Sequence, residues 1–177
     1  MATTLTRVQV VLLLASCSVL AQPLTVCEVL SDLSGLNGKQ VRIRGVWSVG
    51  DAMSGLLAVP PCERPTVHDG WEFVDGISVS HKLGLRNLAS AYAEYSALAR
   101  AHPRAKILVT LTGRLDAPEH FVTWTDPWGV VRPRAFWSFP ANLTFWNAGD
   151  LRAVTLTADE IEALTRELQH PDPRRVH

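Results

Sequence analysis

Residues 41–47 read VRIRGVW, and residues 109–115 read VTLTGRL. Both stretches place apolar residues at alternate positions, and both carry a glycine on the apolar side, Gly45 and Gly113. Such alternation is typical of a β-strand with one buried face. A glycine on that face removes a side chain and lets the strand bend sharply, as strands do when they curl around a small barrel. The two stretches therefore predict two strands of a curled β-barrel.

The segments around these strands predict the remaining elements. Thr25 and Glu28 have the spacing of a capping box, which predicts a short helix ending before Gly35. Apolar spacing of three and four residues predicts a longer helix from Leu85 to Ala101. Further strands are expected at residues 55–59, 71–79 and 141–146, the middle one interrupted at Asp75-Gly76, with a loop at 62–70.

This order of elements predicts the fold class. Three strands, a helix and two more strands form the pattern of the OB-fold, a small five-stranded barrel with a helix between its third and fourth strands. We therefore expect a mainly β, α+β domain with short helices at both ends. Sandwich and other α+β arrangements stay open at this point.

Several motifs resemble one group of proteins. The stretch Val26-Cys27-Glu28-Val29-Leu30, followed by Asn37-Gly38-Lys39 and the strand ending at Gly45, resembles the opening of small uncharacterised exported bacterial proteins with an OB-fold-like domain. Residues 109–115 and 139–143 resemble the second half of that group. The resemblance spans about residues 25–146 and implies a fold and an exported location, but it carries over no functional residue.

The first 21 residues have the features of a secretory signal. Arg7 precedes the apolar run VQVVLLLA at 8–15, and small residues follow up to Ala21. The run is shorter than the ~20 apolar residues that a membrane span needs. Two cleavage sites stay open: after Ala21, which gives the usual signal length and is favoured, or before Cys17, which would then be lipidated and attach the protein to the envelope membrane.

The predicted organisation follows from that cleavage. We expect a signal peptide at 1–21, one OB-like domain at 22–156, a C-terminal helix at 157–170 and a disordered tail at 171–177. Thr157 and Glu160 form a second capping box at the start of that helix. The mature protein is then periplasmic or secreted, or else lipid-anchored.

Cys27 and Cys62 remain after removal of the signal. An even cysteine count in an oxidising compartment predicts a disulfide between them. Two free thiols are the alternative. A metal site is not expected, because neither cysteine has a second cysteine or a histidine at ligand spacing.

The charge balance argues against one class of partner. The chain has 17 Lys and Arg and 17 Asp and Glu residues, and loss of Arg7 with the signal leaves a charge of about −1. Nucleic-acid binding depends on neutralising phosphates with cations. We therefore expect no nucleic-acid partner, and membrane contact only if Cys17 is lipidated.

Aromatic residues are concentrated in one segment. Of the 13 aromatic residues, eight lie between 121 and 146, around Arg132 and Arg134. In an OB-fold this segment belongs to the connection between the last two strands, which often contacts ligands. The hypothesis is a ligand site formed by Trp124, Trp128, Arg132, Arg134 and Trp137. The alternative is that Phe139, Phe145 and Trp146 belong to the barrel core and that Trp124 and Trp128 close one end of the barrel. Asp126-Pro127-Trp128-Gly129, however, has the pattern of a turn tip.

No motif indicates catalysis. The sequence has no Gly-x-Ser-x-Gly, no Ser-x-x-Lys and no His-Glu-x-x-His, and we expect no metal or cofactor. Arg42 and Arg44 are expected to face solvent. Three functions remain: a non-enzymatic exported domain that binds an unknown small or oligomeric ligand or an envelope protein, a structural or accessory envelope protein, and an unrecognised hydrolytic enzyme.

Overall fold

The computed structural model describes residues 22–49, 54–81, 86–135 and 139–160, together with 162, 174 and 175. Besides a helical segment that begins at Ala158, these residues form eleven strands and three helices. In chain order they are β1 (Leu24–Thr25), α1 (Val26–Ser31), α2 (Leu33–Leu36), β2 (Gln40–Val49), β3 (Ser54–Leu57), β4 (Thr66–His68), β5 (Trp71–Phe73), β6 (Gly76–His81), α3 (Arg86–Ala101), β7 (Lys106–Asp116), β8 (Thr123–Thr125), β9 (Val131–Pro133), β10 (Asn142–Val154) and β11 (Arg174–Arg175).

Five of these strands close a barrel in the order β2-β3-β6-β10-β7, and β7 pairs back onto β2. The β6–β10 pair is parallel, and the other barrel pairs are antiparallel. Taken in chain order, the barrel strands are arranged 1-2-3-5-4, and α3 connects the third to the fourth. The prediction of a small OB-like α+β barrel with a helix between strands 3 and 4 is confirmed.

The two barrel glycines lie where backbones come closest. A Cβ on Gly113 would stand 2.5 Å from the carbonyl oxygen of Thr144. A Cβ on Gly45 would stand 2.8 Å from both the Leu57 oxygen and a Val26 methyl group. At Gly45, β2 exchanges β1 for β3 as the neighbour on one edge, while β7 continues along the other. Both glycines are therefore required by close contacts inside the curled sheet.

The barrel interior is apolar, and α3 covers one part of it. Trp47 is almost fully buried, and its ring centroid lies 5.0 Å from that of Tyr92 and 5.2 Å from that of Tyr95, both on α3. Phe145 of β10 contacts the same indole edge-to-face. The remaining core consists mainly of aliphatic side chains from the alternating strands, among them Ile43, Leu56, Ile77, Leu111, Leu115 and Leu143.

A disulfide joins Cys27 and Cys62, whose Cα atoms are 5.5 Å apart, as predicted. The predicted capping box is also present, because Thr25 accepts a hydrogen bond from the Glu28 amide and Glu28 accepts one from the Thr25 amide. The hydrogen bond from the Thr25 amide lowers the pKa of the Glu28 carboxyl. The disulfide thus attaches the capped helix α1 to the segment between β3 and β4.

A second region lies outside the barrel, and here the structure corrects the sequence-based assignment. Residues 66–73, expected as a loop followed by the start of a barrel strand, form a hairpin of β4 and β5 instead. Asp69 and Gly70 both have positive φ angles, as a two-residue hairpin turn requires. Arg174 and Arg175 pair with Glu72 and Trp71, so the tail predicted to be disordered contains a short strand at these two residues.

The last barrel strand is longer than predicted. It was expected to end at Trp146, but β10 continues to Val154 because β7 offers pairing partners along its whole length. Two register shifts, at Phe145/Asn147 and Gly149/Arg152, accommodate the sequence Asn-Ala-Gly-Asp that resembles a turn. Ala158–Glu160 and Glu162 are helical, as predicted for the C-terminal helix, and its other residues lie outside the described ones.

Candidate functional site

The connection between β7 and β10 contains a second hairpin, which we call the tryptophan hairpin (residues 121–135). Its strands β8 and β9 pair with Thr123 opposite Pro133, Trp124 opposite Arg132 and Thr125 opposite Val131. The aromatic segment is therefore in the connection where the OB-like pattern placed it. Sequence reasoning did not identify its two short strands, because three-residue strands carry almost no periodicity.

The stem of the tryptophan hairpin has an inner and an outer face. Phe121 and Pro133 are buried on the inner face. Val122 and Trp124 belong to the outer face, since side chains alternate along a strand, and both are exposed. Arg132 is directly opposite Trp124 on this outer face.

Exposed apolar side chains are concentrated on this hairpin. Seven large hydrophobic residues are exposed in the described part of the chain, and five of them lie between 122 and 131: Val122, Trp124, Trp128, Val130 and Val131. Trp128 at the tip is 82% exposed, and Trp124 is 46% exposed. Single exposed apolar residues are common, whereas five on one short hairpin make it a candidate interaction surface.

Asp126 orders the tip of the hairpin. Its carboxylate accepts hydrogen bonds from the amides of Trp128 (3.0 Å) and Val130 (2.9 Å) and from Nε of Arg132 (2.8 Å). The side chain is only 1% exposed. The bond from Arg132, helped by those from the two amides, lowers the pKa of Asp126. The tip is therefore fixed by a buried, ionised carboxylate, while Trp128 faces solvent.

The base of the tryptophan hairpin packs against the β4–β5 hairpin. Phe121 contacts Trp71 and Phe73 in a small buried cluster, with 5.4 Å between the Phe73 and Phe121 ring centroids. His68 packs edge-to-face on Phe121, and its Nε2 is 2.6 Å from the Pro118 carbonyl oxygen. The two hairpins thus form one apolar joint outside the barrel.

Asp69 connects the same two hairpins by polar contacts. It accepts a hydrogen bond from the Phe121 amide at 2.7 Å, and its other oxygen is 3.0 Å from Nδ1 of His120. The bond from the Phe121 amide, followed by the one from His120, lowers the pKa of Asp69, and Asp69 in turn raises the pKa of His120. His120 is 78% exposed. A histidine and a carboxylate do meet here, but on an open surface.

The other residues of the predicted site differ in burial and position. Arg132 is half-buried against Asp126, and Arg134 is exposed while its amide donates to the Val122 carbonyl. Trp137 lies outside the described residues, as does Cys17. Asp126 was missed as an organising residue, although an aspartate before a Pro-Trp-Gly turn signals this kind of side-chain cap. Phe139 and Phe145 are buried, as the core alternative expected, whereas Trp146 is half-buried.

A cleft beside α3 and an arginine pair on β2 are weaker candidates for a site than the tryptophan hairpin. A cleft of about 250 Å³ between α3 and the barrel is lined by Trp47, Tyr95, Lys106 and Ile107 among others, and it is small for a ligand site. Arg42 is half-buried and Arg44 is exposed, and they pair with Asp150 at 3.2 and 3.9 Å. Surface ion pairs of this kind contribute little to stability.

The described residues contain no group of three or more His, Cys, Asp or Glu side chains placed to hold a metal ion. Among them, no helix combines the length and the apolar character needed to cross a membrane.

Comparison with protein families, curated proteins and solved structures found no match to this chain. No family model matches the chain, and no curated protein or solved structure matches it significantly. The site is therefore interpreted from its own geometry.

Proposed function

We propose that this chain is an exported, non-enzymatic OB-like binding domain of the bacterial envelope, and that the tryptophan hairpin is its binding element. The observation that carries the proposal is the exposure of Trp124 on the stem and of Trp128 at the tip, which hydrogen bonds to Asp126 order. An ordered loop loses less conformational entropy on binding than a flexible one. A rigid tip with exposed tryptophans therefore suits a binding surface.

Two further observations support this proposal. The hairpin occupies the connection before the last barrel strand, which contacts ligands in many OB-folds. The Cys27–Cys62 disulfide is compatible with an oxidising compartment, as expected for the exported OB-like proteins that the sequence resembles. The proposed locations remain periplasmic, secreted or lipid-anchored.

The two alternatives make different demands on the structure. A purely structural protein would use these tryptophans as core, but both described members of the predicted set are exposed. A hydrolase would need a histidine and a carboxylate in a cleft beside a nucleophile. The Asp69–His120 contact has a simpler role, because Asp69 also accepts the Phe121 amide and so joins the two hairpins.

The proposal is tested by affinity capture from the native envelope fraction. The bait is the chain from Gln22 onward, compared with a Trp124→Ser/Trp128→Ser variant and a matched control, Val49→Ser/Val67→Ser, which removes exposed apolar side chains elsewhere. We expect at least one envelope component to be retained by the wild type and the control and lost from the hairpin variant. Identical retention by all three, with unchanged thermal unfolding, would refute the proposal.

A further inference from the structure

The shape of the tryptophan hairpin limits what can bind it. Trp128 and Gly129 form the tip, and Val130 and Val131 beside them are also exposed, so the apolar surface is convex. Small ligands bind in concave sites that surround them. A convex apolar tip must instead enter its partner, which can be a lipid bilayer or a pocket of another protein.

The polar groups of the tip distinguish between these environments. The amide of Asp126 donates to the Val130 carbonyl, and that of Gly129 donates to the Asp126 carbonyl. The amides of Trp128 and Val130 donate to the Asp126 carboxylate, and Pro127 has no N–H to satisfy. Every backbone donor from 126 to 130 is thus satisfied within the hairpin. Donors satisfied in this way lower the cost of inserting the tip into a bilayer, because lipid chains offer no hydrogen bonds.

The distribution of charge at the tip also favours a bilayer. The only acidic residue between 121 and 135 is Asp126, which is buried and paired with Arg132 at 2.8 Å. The tip therefore carries no exposed charge, while Arg134 is exposed further down the stem. Arg134 follows β9 and lies five residues after Gly129, so this cation is set back from the apolar tip.

This order of an apolar tip followed by an exposed cation suits a membrane interface. Amphipathic elements at an interface bury their apolar side about 5–10 Å deep, and tryptophan prefers the boundary between headgroups and acyl chains. A tip inserted to that depth carries the Asp126–Arg132 pair with it and leaves Arg134 near the headgroups, where arginine favours anionic lipid.

We infer that the tryptophan hairpin docks this domain onto an anionic lipid bilayer by inserting Trp128 and its neighbouring valines into the interface. The inference rests on the proposed function, since it names the occupant of the same surface. It departs from the expectation that membrane contact requires a lipid on Cys17. The hairpin would provide a second, non-covalent attachment, with or without that lipid.

The experiment uses the chain from Gln22 onward, so that no lipid on Cys17 contributes. Its sedimentation is measured with phosphatidylcholine vesicles, with and without phosphatidylglycerol. We expect Trp128→Ser to weaken binding ~10-fold or more. Arg134→Ala should weaken binding about fivefold, and only to the anionic vesicles.

Two control variants should bind like the wild type. Val67→Ser removes an exposed apolar residue from β4, and Arg104→Ala removes an exposed cation between α3 and β7. Brominated lipids should quench wild-type tryptophan fluorescence more strongly than that of Trp128→Phe. Retention of the Cys27–Cys62 disulfide and of thermal unfolding checks that each variant folds.

The outcomes separate the inference from the proposed function. If the wild type does not sediment with either vesicle, or if Trp128→Ser sediments as the wild type does, the bilayer inference is wrong. Should envelope capture still depend on Trp124 and Trp128, the binding function would stand and its partner would be a protein. If neither vesicle sedimentation nor envelope capture depends on the hairpin tryptophans, both the bilayer inference and the proposed binding function are wrong.

Discussion

The barrel and the tryptophan hairpin are ordered by opposite means. In the barrel, buried apolar side chains such as Ile43, Leu111 and Leu143 provide the order. At the hairpin tip, a buried carboxylate provides it, through two amides and one guanidinium. A strand that is ordered by burial must hide its apolar side chains, whereas a turn that is ordered by a polar cap can expose them. This difference is what leaves Trp128 available to a partner.

The largest expected effect comes from filling a close contact in the barrel. We expect Gly113→Ala to lower the free energy of unfolding by about 2–3 kcal/mol, because the new Cβ would meet the backbone of Thr144 and Phe145, which cannot move away cheaply. Urea unfolding measures the change. Gly149→Ala on the neighbouring strand is the matched control, since nothing lies within 4 Å of its Cβ position. Equal stability of the two variants would contradict this account of the barrel.

A smaller and local effect is expected at the tip of the hairpin. Asp126→Ala removes the acceptor for the Trp128 and Val130 amides, so hydrogen exchange at these amides should accelerate by about tenfold or more. Amides of β7 in the same sample serve as the control and should keep their protection, because the barrel does not depend on Asp126. Faster exchange throughout β7 would show that the two regions are ordered together after all.

The smallest effect concerns the joint between the hairpins. Asp69 raises the pKa of His120, so the protonated histidine stabilises the joint below its ordinary pKa of 6.5, and that contribution is lost as the pH rises through the higher folded value. The pKa of Asp69 is lowered, so its contribution is present above 3.8 and lost as the pH falls through the lower folded value. The contact is therefore strongest between those two values.

Exchange of the Phe121 amide against pH measures this dependence. We expect protection in the wild type to decrease from pH 6 to pH 8, and the decrease to be absent in His120→Gln. His102→Gln, at the exposed end of α3, is the matched control and should behave as the wild type does. An identical pH dependence in all three proteins would mean that His120 does not stabilise the joint.

The barrel could be predicted from the sequence because its signals are local and repeated. Alternation in residues 41–47 and 109–115, with Gly45 and Gly113 at equivalent positions, follows directly from burial of one strand face. The helix between the third and fourth strands has its own apolar stripe. Cys27 and Cys62 could be paired because they are the only two cysteines outside the predicted signal peptide.

The outer region was only partly predictable, for physical reasons. Asp69-Gly70 carried a recognisable hairpin signal, but Pro60, Pro61 and Pro65 before it favoured a loop. The continuation of β10 past Asn147 depends on the length of its partner β7, which the local sequence does not encode. The exposure of Trp124 and Trp128 depends on which face of a short hairpin packs against Phe73, a contact between segments about 50 residues apart.

Because β10 pairs with both β6 and β7, the barrel can close only after β10 has been synthesised. Its residues 142–145 lie between β6 and β7, so they close the barrel, and they come more than 20 residues after every other barrel strand. During synthesis, which proceeds from the N-terminus, one edge of β6 and one edge of β7 stay unpaired until β10 has been made. Unpaired edges invite association with other chains. A protein interrupted before Asn142 would therefore be a source of aggregates, and chaperone protection would matter most during that interval.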